Sequence, residues 1–504
     1  MVAMNRKKKL ILNTVFPVIN KVIAFLCGLV LPRLFIKTYG SDVNGLIASI
    51  TNFLGMIALL DMGMGTVVES SLYKPLAQKN EYEVSKIVKS CKSFFNKIAL
   101  VLLAYLSVLV IIYPTIIRND FGWLFEASLL IILSIDLFAN YFFGIAYSIL
   151  LKADQKAYIP MILSCMGTVL NFICSVVLIT INVPVHIVKL ASAAVFLIKP
   201  LFLNLYVHKH YNLLKDVDIT EEPIKQKWNG VAQHFAYYVT DKTDVLVLTV
   251  FSTLSNVSIY VVYNMVVVGI RDIIIMTQSG VQALIGNLLA SDEREQLLIT
   301  FDLYEWFVHN VSTILYTCTA ILILPFVKIY TYNITDANYI QPVFAMILIA
   351  AVYMYCLRFP YHIMVLAAGH FKQTQTSSII EMFLNIILTI ILVFKYGLVG
   401  VSIGTFVSLT YRTVYLVHYN HNIIYEYKVS KFYKLLLSNS IIIAISIGIS
   451  KLVTFDVVGY INWAVYAIII LFIVTAVCFV VNCIFCRDDI LFVFRFLNNR
   501  RRQA

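Results

Sequence analysis

Tyr39-Gly-Ser-Asp-Val-Asn-Gly-Leu46, a polar turn between two apolar runs, has a loose counterpart in Phe251-Ser-Thr-Leu-Ser-Asn-Val-Ser-Ile259. A second pair of segments, Ala153-Asp-Gln-Lys through Leu170-Asn171-Phe-Ile and Ala368-Gly-His-Phe-Lys through Leu384-Asn385-Ile-Ile, is displaced by the same interval of about 214 residues. An internal repeat of that length decides the fold, because it says how the apolar runs between those points group.

Apolar runs long enough to cross a bilayer, about 20 residues each, begin near Leu10, Asn44, Cys91, Trp123, Ala157, Val185, His234, Asn256, Phe307, Ile340, Gln373, Leu398, Lys434 and Tyr460. One repeat holds six of them, an even number, so both copies insert with the same orientation. The expected architecture is an all-α integral membrane protein of about fourteen transmembrane helices. Residues 1–213 form one six-helix lobe, residues 214–430 a parallel second lobe, and residues 431–504 two further helices with a basic tail. A cleft between such lobes is where a transporter holds its cargo.

Composition excludes the other broad classes. Of 504 residues, 60% are hydrophobic and only 13% charged, which leaves the membrane as solvent. The 31 Tyr and 33 Phe fit helix packing and interfacial belts. The formal charge of +12 does not signal nucleic acid, because Lys and Arg gather in short segments between apolar runs. On the side of the N-terminus lie Arg6 to Lys9, Lys74 to Lys97, Lys152 and Lys156, Lys209 to Lys227, Arg294, Lys372, Lys428 to Lys434 and Arg487 to Arg502. The other side holds isolated Lys37, Arg118, Lys189, Lys328, Lys395 and Lys451. Both termini are therefore expected in the cytoplasm of a bacterial cell, with the first helix retained rather than cleaved as a signal peptide. The nine cysteines lie mostly in apolar runs and imply neither disulfides nor metal; Cys483 and Cys486 form a CxxC without further ligands nearby.

A charge at the bilayer centre is costly unless it meets water or a partner, so intramembrane ionisable residues carry the functional information. Lys21 lies in the middle of the first helix, with Thr14 and Gly28 on its face and Pro17 placed to bend it, as in a cavity wall; the alternative is that Lys21 snorkels or pairs with a carboxylate such as Asp61 of the next helix. Asn264, Arg271, Gln278 and Gln282 recur at helical spacing as one polar stripe. His234, Tyr238, Asp241 and Lys242 share a face, with Asp244 one turn beyond Asp241. Asp61, Glu69, Asp136, Asp241, Asp244 and Glu381 are carboxylates able to carry a coupling proton or sodium ion, or to serve as salt-bridge partners. Lys199, Arg358 and Arg412 sit nearer the cytoplasmic helix ends, where long side chains reach the interface cheaply.

The string Leu31-Pro-Arg-Leu-Phe-Ile-Lys-Thr-Tyr-Gly followed by Asp-Val-Asn-Gly-Leu, then Leu59-Leu-Asp-Met-Gly-Met-Gly-Thr and Tyr73-Lys-Pro-Leu-Ala-Gln-Lys-Asn-Glu-Tyr, resembles the polysaccharide-export flippases of the multidrug/oligosaccharidyl-lipid/polysaccharide (MOP) superfamily. Thr243-Asp-Val-Leu-Val-Leu and Val257-Ser-Ile-Tyr-Val-Val-Tyr-Asn resemble its second-lobe signature. The resemblance implies MATE-like lobes and a cargo of undecaprenyl-diphosphate-linked oligosaccharide, moved by alternating access for O-antigen, capsule or exopolysaccharide assembly. It implies membrane lipids, a polysaccharide polymerase and assembly proteins as partners, no cofactor beyond a coupling ion, and no enzymatic step. Its diphosphate suits Lys21 and Arg271, with Lys242 and Arg358 behind them, while Asn264, Gln278, Gln282, His234 and Tyr238 would line the cavity.

Three alternatives stand beside it. An ion-coupled drug exporter of the same superfamily would have twelve helices and carboxylates for cationic drugs. A membrane polymerase or acyltransferase would need catalytic groups in a sizeable loop. A scaffold for an envelope assembly complex would leave the polar stripe unexplained.

Overall fold

The computed structural model describes residues 6–61, 64–117, 121–214, 217, 231–423, 427–453, 455 and 458–485. Cys486, Arg487 to Arg502, Arg118 and the lysines at 215, 225 and 227 lie outside them, as do the side chains of Arg6 to Lys9, Thr14 and His234. Every regular element among the described residues is a helix. In order these are α1 (Arg6–Tyr39), α2 (Ser41–Gly55), α3 (Met64–Ala77), α4 (Glu81–Ile116), α5 (Trp123–Ala139), α6 (Ile145–Ala153), α7 (Tyr158–Thr180), α8 (Val185–His210) and α9 (Val231–Phe251). They continue as α10 (Leu254–Ile275), α11 (Gln278–Ala290), α12 (Arg294–Tyr330), α13 (Pro342–Leu357), α14 (Phe359–Ala367), α15 (Phe371–Tyr396), α16 (Leu398–Tyr419), α17 (Val429–Ser450) and α18 (Tyr460–Phe485).

Twelve helical stretches of the described residues are long and apolar enough to cross a membrane. Two more complete the expected fourteen: α9, with Asp241, Lys242 and Asp244 in its middle, and α16, diluted by Gly, Ser, Thr and Arg412. The chain is a multi-pass membrane protein. Several helices start earlier than the apolar runs suggested: α4 at Glu81 rather than near Cys91, α12 at Arg294 rather than near Phe307. Hydropathy marks the lipid-embedded part, whereas local capping decides where a helix begins. For α4 the cap is Asn80, whose Oδ1 accepts the Glu83 amide at 3.1 Å.

The chain divides into two compact units, Met1–Tyr238 with Thr253–Ser258, and Val239–Ser252 with Ile259–Ala504. In the first, Phe95, Leu102, Tyr147 and Leu150 centre an apolar core between α3, α4 and α6. Matching positions of the internal repeat meet inside this unit: Asn44 Nδ2 donates to Ser258 Oγ at 2.8 Å across a separation of 214 residues. Beside it Ser255 Oγ donates to Asp42 Oδ1 at 2.6 Å. Gly45 permits the approach, since a Cβ there would lie 1.9 Å from the Leu254 carbonyl oxygen.

In the second unit α15 and α16 form a tight antiparallel pair joined at Gly397, whose φ of 54° lies in the left-handed region. A Cβ on Gly400 would sit 2.2 Å from the Leu392 carbonyl oxygen, and one on Gly404 would sit 2.5 Å from Thr389 Oγ1. The last two helices dock on α12 through polar contacts as well as apolar ones. Asn482 Nδ2 donates to Asn310 Oδ1 at 2.6 Å, Asn439 Nδ2 meets His309 Nδ1 at 3.1 Å, and Trp463 Nε1 donates to the Leu322 carbonyl at 3.1 Å. Inside a membrane such pairs remain favourable because the alternative is an unsatisfied polar group.

Gly400→Ala is expected to cost roughly 1–3 kcal/mol of stability by overpacking. Gly448→Ala, with nothing within 4 Å of its Cβ, should be neutral or slightly stabilising. Thermal denaturation of the two purified variants in detergent checks the difference.

Candidate functional site

Helix α9 carries three charges in four residues, and its partners in the second unit sort them. Asp244 is only 3% exposed. An uncompensated carboxylate there would be costly, and neighbouring hydroxyls satisfy it. Tyr260 Oη donates at 2.9 Å, and Thr405 Oγ1 lies 2.8 Å from both carboxylate oxygens. Asn385 Nδ2 donates to Thr405 Oγ1 at 3.2 Å, while its own Oδ1 is buried without a hydrogen-bond partner. This oxygen-rich group is suited chemically to a proton or a small hard cation.

One turn back, Asp241 bridges two cations, with Lys242 Nζ at 3.2 Å and Arg271 Nη1 at 3.4 Å; Arg271 Nε is also 3.7 Å from Asp272. The Arg271 guanidinium lies 5.5 Å from the centre of the Tyr355 ring, and that of Arg358 lies 4.2 Å from the same ring. Arg358 Nη1 in turn pairs with Glu381 Oε1 at 2.6 Å, both side chains buried. Arg412 approaches the other Glu381 oxygen at 4.0 Å and donates to the Thr374 carbonyl at 2.8 Å and to Ser377 Oγ. Glu381 and Asn385 are one turn apart on α15, so the chain of polar neighbours returns to Asp244. Four cations, Lys242, Arg271, Arg358 and Arg412, and four carboxylates make up the cluster: Asp241, Asp272 and Glu381 each face a cation, whereas Asp244 is held by the hydroxyls of Tyr260 and Thr405. With every group carrying its usual charge the cluster sums to zero.

Six of the residues selected from sequence, Arg271, Lys242, Asp241, Asp244, Arg358 and Glu381, thus belong to one cluster. Two sequence readings need correction. Arg358 and Arg412 do not extend to an interface; they are buried at 6% and 3% exposure, held by Glu381 and by α15. The stripe of Asn264, Arg271, Gln278 and Gln282 is not carried by one unbroken helix: a turn at Met276–Thr277 divides it between α10 and α11. Asn264, Gln278 and Gln282 are half-buried on either side of that break.

The first unit holds the others. Lys21 is exposed on α1, Asp61 ends the helical stretch after α2 with Tyr141 Oη at 3.4 Å, and Glu69 accepts from Tyr73 at 3.1 Å. Asp136 pairs with Asn140 at 3.0 Å, where a π-helical turn joins α5 to α6. Tyr238 donates to the Gly55 carbonyl.

Sequence reasoning missed Tyr260, Tyr355, Asn385 and Thr405, whose types are common in membrane helices and carry no charge to flag them. It also missed Glu305, 0% exposed on α12, which accepts from Tyr361 and, at 2.9 Å, from Tyr427, with Lys431 Nζ at 3.8 Å. The available signal was a carboxylate two residues before an apolar run. Burial, with the Glu305 carboxylate beside it, pushes the Tyr427 phenol far above its ordinary range, so it remains a donor.

No family model matches the chain, and no curated protein matches it. Among solved structures it is similar to the lipid II flippase MurJ in an inward closed conformation, with a TM-score of 0.72 and 16% identity over 95% of this chain and 100% of that one. It is also similar to an inward-facing multidrug resistance MATE transporter of the MOP superfamily, with a TM-score of 0.57 and 13% identity over 82% and 95%. A variant of the Vibrio cholerae MATE transporter VcmN gives 0.58 and 13% over 84% and 98%. At these identities the likeness establishes the fold: all-α, MurJ- and MATE-like.

Breaking the buried pair leaves an uncompensated charge, so Arg358→Ala or Glu381→Ala should each cost roughly 3–5 kcal/mol. Arg358→Met with Glu381→Leu should recover at least half of that loss. Denaturation of Arg358→Met, Glu381→Leu and their double in detergent, analysed as a cycle, measures the coupling.

Proposed function

We propose that the chain is a flippase that moves undecaprenyl-diphosphate-linked oligosaccharide repeat units across the bacterial cytoplasmic membrane by alternating access, for surface polysaccharide biosynthesis. The observation that carries this reading is the charge-balanced cluster on α9, α10, α13, α15 and α16. A diphosphate is a strong anion held best by guanidinium and ammonium groups. Arg271 and Lys242 present such groups at the less buried end of the cluster, and Arg358 stands behind Tyr355. Lys21, exposed on α1 of the first unit, is a separate candidate for the same chemistry. The lipid tail stays in the bilayer, and no covalent chemistry is needed.

The zero sum of the cluster also bears on coupling. An anion added to a neutral, buried group is unfavourable unless a cation accompanies it. Asp244, with its three oxygen-bearing neighbours, is one carboxylate we assign as able to hold a coupling sodium ion or proton, and Glu381 is another. A multidrug exporter is the second reading, favoured by the fold shared with MATE transporters and by the buried Asp244 carboxylate. Against it, the cluster's other carboxylates, Asp241, Asp272 and Glu381, already face a cation of the protein.

In a deletion strain, complementation with Arg271→Ala or Lys21→Ala should lower surface polysaccharide at least about tenfold, the loss expected for one charge-assisted contact. Lipid-linked intermediates should build up inside. Normal surface polysaccharide with altered dye resistance would favour the exporter.

A further inference from the structure

The Arg358, Arg412 and Glu381 triad has an excess of one positive charge. A lipid-linked diphosphate is a diester at both phosphates and carries one negative charge on each. With Glu381 ionised, the two guanidiniums can balance only one of those charges; with Glu381 neutral they balance both. Entry is graded, because the Arg271 side chain is 15% exposed whereas those of Arg358 and Arg412 are 8% and 3% exposed. Tyr355 lies against both Arg271 and Arg358 and connects the two levels.

We propose that Glu381 is the residue that links anion binding to proton uptake: a diphosphate advancing from Arg271 to Arg358 displaces Glu381, which takes up one proton from solvent. The step exchanges the Arg358–Glu381 ion pair for an Arg358–phosphate pair and forms one O–H bond on the released carboxylate. It rests on the reading of the cargo as a diphosphate.

The groups around Glu381 are Arg358 ahead of α14, Arg412 on α16 with Tyr411 and Tyr415 beside it, Tyr355 on α13, and Ser377, Ser378 and Asn385 on its own helix. Among these groups the carboxylate is the one whose negative charge a single added proton removes. Guanidiniums and hydroxyls offer protons, whereas a metal ion needs several converging oxygen lone pairs, so a proton fits this position better than sodium. A buried carboxylate parted from its guanidinium is an uncompensated charge, and one proton removes that charge.

Because the bound state holds one more proton, affinity for the diphosphate rises as pH falls, by up to about tenfold per unit. The test is titration of full-length protein in detergent with a short-chain polyprenyl diphospho-sugar, which lacks the titration near about pH 6 of a phosphate monoester. The wild type should show that slope and take up one proton per bound ligand in weak buffer. Glu381→Gln should bind with a flat pH profile, at least as tightly as wild type at acidic pH. Arg358→Gln with Glu381→Gln, which keeps the pair neutral, should be flat and weak. An undiminished slope in Glu381→Gln, or wild-type binding without proton uptake, overturns the proposal while leaving the cargo reading intact. A sodium dependence that Glu381→Gln abolishes overturns the choice of proton. If Glu381→Gln does not fold, wild-type binding without proton uptake still overturns the proposal. A wild type that binds no diphosphate at any pH overturns the cargo reading itself.

Discussion

The pairing of buried charges is the constraint on which the second unit is built. In a medium without water, a single guanidinium or carboxylate costs several kcal/mol, roughly, unless a partner of opposite sign or a set of hydrogen bonds meets it. Arg358 marks the junction of α13 and α14 and is held by Glu381 of α15, which also draws Arg412 of α16. Asp244 of α9 is held by Thr405 of α16 and Tyr260 of α10. Helices α9, α10, α15 and α16 and the α13–α14 junction are thereby tied by the same rule, and each tie specifies register as well as attraction.

That rule also explains how much of the molecule the sequence made legible. About fourteen helices were readable because hydropathy is a property of one segment at a time, with α9 and α16 the least apolar of them. The charges of the cluster were visible one by one, since charge is rare in a membrane. Their pairing was not, because Arg358 meets Glu381 only after α14 and α15 fold back. The hydroxyl and amide groups that satisfy Asp244 were invisible for a different reason: Thr and Asn in a helix do not announce which neighbour they serve.

The same physics governs the two helices appended at the C-terminal end. Helices α17 and α18 are nearly uniform in apolar character, so packing alone would specify their rotation against α12 weakly. The pairs Asn439 with His309 and Asn482 with Asn310 fix it. Glu305, in the N-terminal part of α12, extends the polar seam through Tyr361, Tyr427 and Lys431. Because α12 begins at Arg294, well before its apolar run, this seam lies on a stretch that hydropathy assigns to a loop.

For function, the consequence is that cations and carboxylates in the second unit are not independent binding groups. An anion that takes one guanidinium releases a carboxylate, and the released charge must itself be neutralised. Reconstitution of the purified chain in liposomes with a fluorescent short-chain polyprenyl diphospho-oligosaccharide tests the account most directly. The account predicts leaflet exchange faster than in protein-free vesicles, inhibited by inorganic pyrophosphate and indifferent to a cationic dye. Transport of the dye without exchange of the diphosphate lipid would contradict it.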